Sequence, residues 1–315
     1  MTEALQGHLR LSHLGVIRAE GEDAASFLQG QLSNDVQLLP VGQSRLAAFL
    51  SAKGRMQASF VVVKRSATEL WLITSRDVLA ATLKRLSMFV LRAKVKLSDA
   101  TDAVALYGLA GNALPAAAQA LASPWQTTVD GDASVLRLYA ADGASRALLA
   151  MPSDAALPAA VAASAAISDA DWQLSAVQAG VPLITAPIVD AFVPQMVNFE
   201  RIGGVNFKKG CYPGQEIVAR SHYLGKLKRR MVRAQSTNAA VAALSVGMDV
   251  CVSTDGANPI GQLVGFAPSP IDPSIIDALF EVSLPMIEGD AQLSTAADAD
   301  TWRVLALPYS LKDDQ

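Results

Sequence analysis

The sequence of 315 residues contains only two cysteines, Cys211 and Cys251, so a network of disulfides cannot hold its fold together. A chain of this length buries enough surface to need neither disulfides nor a metal for its core. Charged residues are scarce at 17%, against 51% hydrophobic residues, and this balance excludes disorder and a charge-driven coiled coil. The net charge of −3 excludes a chain that is basic throughout.

Only three histidines are present, and the spacing of His8, His13 and His222 matches no metal-ligand pattern. The first five residues show no basic and apolar leader. One uncharged stretch, 103–129, is interrupted by glycines and prolines, which argues against a membrane span. We therefore expect no tightly bound metal, no membrane contact and a cytoplasmic location.

Strand-like and helix-like patterns are mixed without the regular alternation of a doubly wound sheet, which predicts an α+β fold. The patterns predict a strand at 9–19, a helix at 22–32 and an alanine-rich helix at 154–166. Beyond residue 231, short apolar runs separated by Gly, Pro and Asp loops predict a small β-barrel.

We predict two domains from this change of pattern. An α+β region covers residues 1–236, and the C-terminal β-barrel covers residues 237–315.

The most unusual segment is 208–233, which holds eight Lys and Arg residues and one acidic residue. Because such a concentration of charge attracts anions, one interpretation is a weak contact with RNA through residues 226–233. The alternative is a solvated strand edge that prevents aggregation, with Lys226, Lys228 and Arg230 alternating along one side. Few aromatics lie in the segment, so sequence-specific reading of RNA is not expected.

Within this segment, residues 209–216 read Lys-Gly-Cys-Tyr-Pro-Gly-Gln-Glu. Proline is favoured at the first position of a helix, so a helix is predicted at 213–221. Cys211 then precedes the positive end of that helix and follows two lysines, and both features favour the reactive thiolate. From the residues alone, a working thiol and an inert core residue are equally supported for Cys211, and the inert interpretation is favoured for Cys251.

The octapeptide, followed by Ile-Val-Ala-Arg at 217–220, resembles the signature of the YgfZ-type folate-binding proteins. These are relatives of the glycine-cleavage T-protein (aminomethyltransferase) and of mitochondrial iron–sulfur assembly factors. Further similar patches lie at 27–35, 54–56 and 192–195. The resemblance therefore covers nearly the whole chain.

The resemblance implies a T-protein-like folate-binding region, with a ferredoxin-like subdomain at about 45–150 and a C-terminal β-barrel. It also implies tetrahydrofolate or a derivative in a central channel. The expected role is assembly or repair of iron–sulfur proteins, with partners such as the radical enzymes that thiolate tRNA.

The resemblance also assigns site residues. The functional group is the thiol of Cys211, supported by Lys209, Glu216 and Arg220. Four other residues of the motif organise the loop: Gly210, Tyr212, Gly214 and Gln215. The candidate folate ligands are Gln178, Gln195 and Asn198.

The alternative function is folate-dependent aminomethyl transfer or another one-carbon transfer. The T-protein family places an aspartate in the stretch that matches 54–60, which here contains no carboxylate. Loss of such a group typically costs ~10²–10⁴ in rate. The family's pterin-binding glutamate is replaced by Gln178, whose neutral amide makes weaker hydrogen bonds. These departures favour an accessory protein over a transferase.

Overall fold

The computed structural model of the protein describes residues 5–223, 227–252, 258–286, 293–295 and 300–311. In chain order, the strands of this part are β1 (Gly7–Arg10), β2 (Leu14–Glu20), β3 (Ser44–Leu50), β4 (Met56–Lys64), β5 (Glu69–Ser75), β6 (Lys96–Asp99), β7 (Val104–Ala110), β8 (Thr127–Asp130), β9 (Ala133–Arg137), β10 (Arg146–Pro152), β11 (Arg229–Ser236), β12 (Asp249–Val252), β13 (Gly261–Pro268), β14 (Ile276–Ser283), β15 (Leu293–Thr295) and β16 (Arg303–Leu305). The helices are α1 (Ala24–Gln29), α2 (Arg76–Ser87), α3 (Ala116–Gln119), α4 (Ala159–Ala162), α5 (Asp169–Gln178) and α6 (Gln215–Tyr223). Short 3-10 helices lie at Gly111–Ala113, Ala186–Ile188, Pro194–Val197, Val241–Ala243 and Leu284–Met286.

The strands form three antiparallel sheets. The first sheet has the order β3-β4-β5-β2-β6, and the second has the order β1-β7-β10-β9-β8. The C-terminal sheet has the order β15-β12-β13-β14-β11-β16. A bridge between Leu293 and Trp302 joins its two edges, so this sheet curls. The mixed α+β class predicted from the sequence is confirmed.

The predicted strand at 9–19 is two strands in different sheets. β1 pairs with β7 of the second sheet, and β2 pairs with β5 and β6 of the first. The chain crosses between the sheets at residues 11–13, where no glycine or proline marks the change in direction. This crossing places His13 between the two sheets.

The predicted helix at 154–166 is also wrong over most of its length. Only Ala159–Ala162 are α-helical, after Pro158. The backbone N–H of His8 donates to the carbonyl of Ala165, and that of Ile167 donates to the carbonyl of His8. Pairing with the edge of the second sheet therefore overrides the high helix propensity of alanine.

Two finer predictions are not decided by this arrangement. Strands within 45–150 are divided between the first and second sheets, and the ferredoxin-like subdomain stays a prediction. The C-terminal sheet begins at Arg229, and its Met231 packs in a core cluster with Phe192 and Phe199 of the preceding region. The boundary at 236/237 likewise stays a prediction.

Helices α1 and α2 pack on one face of the first sheet, through a core that includes Leu28, Phe60 and Leu86. The strands of the first sheet also contribute Val16, Trp71 and Ile73 to a second core. This core includes Leu148 of β10 and Trp172 of α5. The first and second sheets therefore pack against each other through this core. Among the described helices, none is both long and apolar enough to cross a membrane.

The arginines of β11 are neutralised within the protein. Arg229 pairs with Glu281, Arg230 with Glu200, and Arg233 with both Asp142 and Asp277. β11 is an inner strand of its sheet and Arg230 is buried, so the interpretation as a solvated strand edge is wrong. Lys226 lies outside the described residues. The charges of this strand join the C-terminal sheet to the rest of the molecule.

We predict that Asp277→Ala lowers the free energy of unfolding by about 3–5 kcal/mol, because it leaves a buried guanidinium short of its partner. Arg233 Nη2 lies 2.6 Å from Asp277 Oδ2, and Asp277 is 1% exposed. The matched variant Asp142→Ala removes the other carboxylate, whose side chain is 53% exposed, and its expected cost is about 1 kcal/mol. Urea-induced unfolding measures both, and equal losses would contradict this account.

Candidate functional site

The signature loop leads into α6 and lies against the turn between β3 and β4. Gly214 has φ +77°, and a Cβ there would stand 2.5 Å from the carbonyl oxygen of Ser51. Gly54, in the facing turn, has φ +71° and leaves no room for a side chain beside Ile217. Glycine is therefore required on both sides of this contact. The helix begins at Gln215, two residues later than predicted.

Lys209 holds the loop to the end of α1. Its ammonium is buried and donates to the carbonyl oxygens of Gln29 and Leu32, the latter at 2.6 Å. It also lies 4.7 Å from the centre of the Tyr212 ring. Burial lowers the pKa of Lys209 to about 8, against the opposing effect of the nearby Asp35 and Cys211. Lys209 thus anchors the loop that carries the thiol.

Cys211 is exposed, two residues after that anchor, whereas Cys251 is buried in β12. Around Cys211, Gly210 faces open space and Tyr212 is buried. On α6, Glu216 and Arg220 form an exposed ion pair at 3.1 Å. The thiol is therefore accessible to a reagent or a partner molecule. Its functional role stays a prediction.

The three predicted folate ligands have other surroundings. Gln195 is fully buried and donates through Nε2 to the carbonyl of Val218 at 2.7 Å. Asn198 is also fully buried and donates through Nδ2 to the carbonyl of Met231 at 2.7 Å. Both join the 3-10 helix Pro194–Val197 to neighbouring elements. Gln178 is the half-buried last residue of α5. Their part in folate binding stays a prediction.

A cavity of about 130 Å³ lies between the first and second sheets and is closed by α5. We call it the inner cavity. Most of its lining is apolar, and its charged side chain is Arg146 at the start of β10. An outer cavity of about 440 Å³ continues from it towards the C-terminal sheet. The two share six residues: His13, Trp172, Ala176, Val181, Pro182 and Leu183.

Arg146 has no counter-ion. It is 4% exposed, and it forms no ion pair or side-chain hydrogen bond within the described part of the chain. The guanidinium carbon lies 4.3 Å from the centre of the Trp172 ring, a favourable but partial compensation. Burial lowers the pKa of Arg146 to about 9. A buried charge in this state favours an acceptor supplied from outside the protein.

Two more buried polar atoms along the cavities have no hydrogen-bond partner among the described residues. They are Nδ1 of His13 and Oγ1 of Thr185. Burial lowers the pKa of His13, and the charge of Asp169 opposes this shift. Neutral imidazole is therefore favoured beside the cavity. Together with Arg146, these atoms supply hydrogen-bonding groups for a ligand in an otherwise apolar space.

Sequence reasoning missed these residues. Arg146 carries the single charge in β10, which otherwise reads Ala-Leu-Leu-Ala-Met-Pro, and an isolated charge in an apolar strand was a usable signal. His13 was hidden within a strand predicted to be continuous. Trp172 and Thr185 gave no signal, since their place depends on the packing of α5 and of the segment after it.

The sequence is similar to one protein family and to named members of it. Residues 6–145 match the family model described as the GCVT N-terminal domain. A protein of Klebsiella pneumoniae named "tRNA-modifying protein YgfZ" is 30% identical over 305 residues, which cover 93% of this chain and 90% of the relative. A protein of the same name from Edwardsiella ictaluri is 34% identical over 233 residues, covering 71% and 69% of the two chains.

The fold is that of a solved aminomethyltransferase. The glycine cleavage system aminomethyltransferase T from Bartonella henselae superposes with a TM-score of 0.69 at 19% identity. The match covers 98% of this chain and 87% of the other. The T-protein-like fold predicted from the sequence is confirmed.

We predict that Lys209→Met lowers the free energy of unfolding by about 1–3 kcal/mol, because two buried carbonyls lose their donor. The difference between wild type and variant should widen as the pH rises from 8 towards 10.5. In that interval the unfolded lysine keeps a proton that the folded one, with its pKa of about 8, has released, so wild type gains stability with pH. Chemical unfolding across this pH range measures the difference.

Lys84→Met, on the exposed surface of α2, is the matched control and should leave the pH dependence unchanged. A difference between wild type and Lys209→Met that stays constant or narrows with pH would contradict the buried, low-pKa ammonium.

Proposed function

Because the chain belongs to the YgfZ family, we propose that it is a folate-binding accessory protein that acts in tRNA modification. In this proposal, the pterin of tetrahydrofolate or a derivative binds in the inner cavity and the rest of the molecule extends into the outer cavity. The protein helps to assemble or repair iron–sulfur enzymes that modify tRNA. Cys211 supplies the working thiol outside the cavity. The name of the relatives, tRNA-modifying protein YgfZ, supports the link to tRNA, and the T-protein-like fold supports the folate site.

The observation that carries the folate proposal is the buried, unpaired guanidinium of Arg146. A protein that held this group for stability alone would be expected to pair it with a carboxylate, as it does for Arg233. An unpaired charge in a cavity is instead typical of a site whose partner is a ligand. The lowered pKa of Arg146 has the same physical cause, burial without compensation.

A reduced folate fits the groups present. Its pterin offers carbonyl and ring-nitrogen acceptors to Arg146 and donors to the neutral imidazole of His13. Thr185, in the outer cavity, can donate to or accept from the rest of the molecule. The apolar lining, including Leu148 and Trp172, suits the rest of a flat ring system. These residues would hold the ligand, and folate would supply the one-carbon or redox chemistry of its ring.

Turnover by aminomethyl transfer is less well supported. The described residues that line the inner cavity include no Asp or Glu, in agreement with the missing carboxylate at 54–60. An enzyme of that class needs a general base or an anion beside the reacting amine. Binding without transfer therefore fits these residues better.

The proposed thiol is separate from the proposed folate site. Cys211 is not among the described residues that line the inner or outer cavity, and its loop is anchored by Lys209 to α1. Exposure suits a group that meets a partner protein, whether it acts in redox chemistry, in sulfur transfer or as a transient ligand of an iron–sulfur cluster. The separation also means that the two sites can be tested independently.

We predict that Arg146→Met weakens the binding of tetrahydrofolate by about tenfold to a hundredfold, the usual value of hydrogen bonds to a charged group. The same change should raise the free energy of unfolding of the ligand-free protein by about 1–3 kcal/mol, because it replaces an uncompensated buried charge with an apolar chain. Calorimetric titration and urea-induced unfolding measure the two effects.

The matched control is Arg92→Met, which removes an exposed arginine and should change neither quantity by more than about 0.5 kcal/mol. The folate proposal fails if Arg146→Met binds tetrahydrofolate as wild type does. A loss of both stability and affinity would show instead that Arg146 has a structural partner.

We predict that Cys211→Ser leaves the affinity for tetrahydrofolate unchanged and abolishes function in cells. The measurement is restoration of thiolated tRNA in a bacterial strain that lacks its own YgfZ protein, beside titration of the purified variant. Cys251→Ala removes the other, buried thiol and should restore thiolation. Full restoration by Cys211→Ser would exclude the thiol as the working group and leave the folate proposal intact.

A further inference from the structure

Besides the inner and outer cavities, the surface has an open groove of about 840 Å³. It is separated from the inner cavity by the wall that contains Leu46 and Trp125. We call it the outer groove. It is bordered by β3, by the segment 203–208 and by the end of α6. Leu46 and Trp125 line both this groove and the inner cavity. Neither the proposed folate site nor the proposed thiol accounts for it.

The charge of the outer groove is of one sign. Arg45 and Lys208 line it, and its described lining includes no Asp or Glu. Arg45 donates to the backbone carbonyl of Asp35, a neutral acceptor. Neither Arg45 nor Lys208 is in an ion pair within the described part of the chain. This contrasts with the arginines of β11, which are all neutralised. The outer groove thus presents unpaired positive charge to solvent, whereas the arginines of β11 do not.

Aromatic rings are stacked along the same wall. Phe207 and His222 lie face to face, with ring centres 3.8 Å apart and planes within 13°. Tyr223 stands edge-on to His222 at 4.7 Å and is 65% exposed. The wall therefore ends in rings that have a face or an edge open to solvent. Such rings are the usual platform for nucleic acid bases.

The amide side chains in the groove are already engaged. Asn34 donates to the carbonyls of Leu46 and Gly203, and the oxygen of Gln126 accepts from the N–H groups of Ala122 and Ser123. These contacts leave little capacity for reading base edges. Stacking and phosphate contacts remain, and neither depends strongly on sequence.

We propose that the outer groove binds a short single-stranded segment of RNA, with a base stacked on the exposed ring of Tyr223, which His222 supports edge-on, and phosphates bound by Arg45 and Lys208. A peptide partner rich in acidic residues would use the two cations but has no need of the stacked rings. Duplex RNA would hide its bases from them. Single-stranded RNA uses both features of the groove, and this proposal does not depend on folate binding.

The test is fluorescence anisotropy of a labelled 12-nucleotide RNA of mixed sequence, titrated with the full chain at 50 to 300 mM salt. Wild type should bind with a dissociation constant of about 1–100 µM at low salt, the usual range of sequence-independent binding. Two phosphate contacts predict a slope of log K against log salt of about −1.4, and Lys208→Gln should reduce it to about −0.7. Tyr223→Ala should weaken binding at least fivefold.

Two further variants and one competitor complete the test. His222→Phe keeps a stacking ring and should retain binding, whereas Lys84→Gln on α2, outside the groove, should behave as wild type. Polyglutamate at equal charge should not displace the RNA. The proposal is overturned if wild type shows no binding at 50 mM salt or if Lys208→Gln and Tyr223→Ala bind as wild type. It is also overturned if polyglutamate competes fully, because the groove would then bind acidic chains in general.

Discussion

The buried guanidinium of Arg146, which has no carboxylate partner in the part of the chain that the structure describes, lies between the two N-terminal sheets. Its burial is enforced by the strand order, since β10 pairs with both β7 and β9 and places Arg146 at the edge of the inner cavity. Trp172 covers it from α5, and the close packing of Trp172 on Gly108 fixes that helix against the second sheet. The position of Arg146 is thus set by strand pairing and by the packing of α5. A bound ligand, as proposed, would offset the cost in stability of burying this charge.

The thiol site is built on a different principle. Lys209 satisfies two carbonyls at the end of α1, and Gly214 lets the loop approach the turn between β3 and β4. The loop is therefore fixed by contacts with two distant parts of the chain, while Cys211 between them remains exposed. An exposed cysteine on an anchored loop, separate from the cavities, suits the proposed role of a thiol that meets a partner protein at the surface.

The basic segment shows why local charge is a poor guide to a binding surface. Its arginines in β11 find carboxylates on β14, on the 3-10 helix region near Glu200 and on the turn at Asp142. The three arginines of β11, which read in the sequence as part of a polycation, therefore form an internal network that holds the C-terminal sheet in place. The positive charge that faces an open groove comes from Arg45 and Lys208, which are far apart in the chain.

The sequence alone determined the family, the α+β class and the loop that carries Cys211, because each depends on residues that are neighbours in the chain. Glycines at 210 and 214, a lysine at 209 and the start of α6 lie within eight residues of one another. The tertiary structure decided which charges are paired. Arg146 and Trp172 are 26 positions apart, and Arg233 and Asp142 are 91 apart, so their contact depends on how sheets pack. Pattern along a chain encodes the period of a helix or strand, whereas burial and ion pairing are properties of surfaces that meet only after folding.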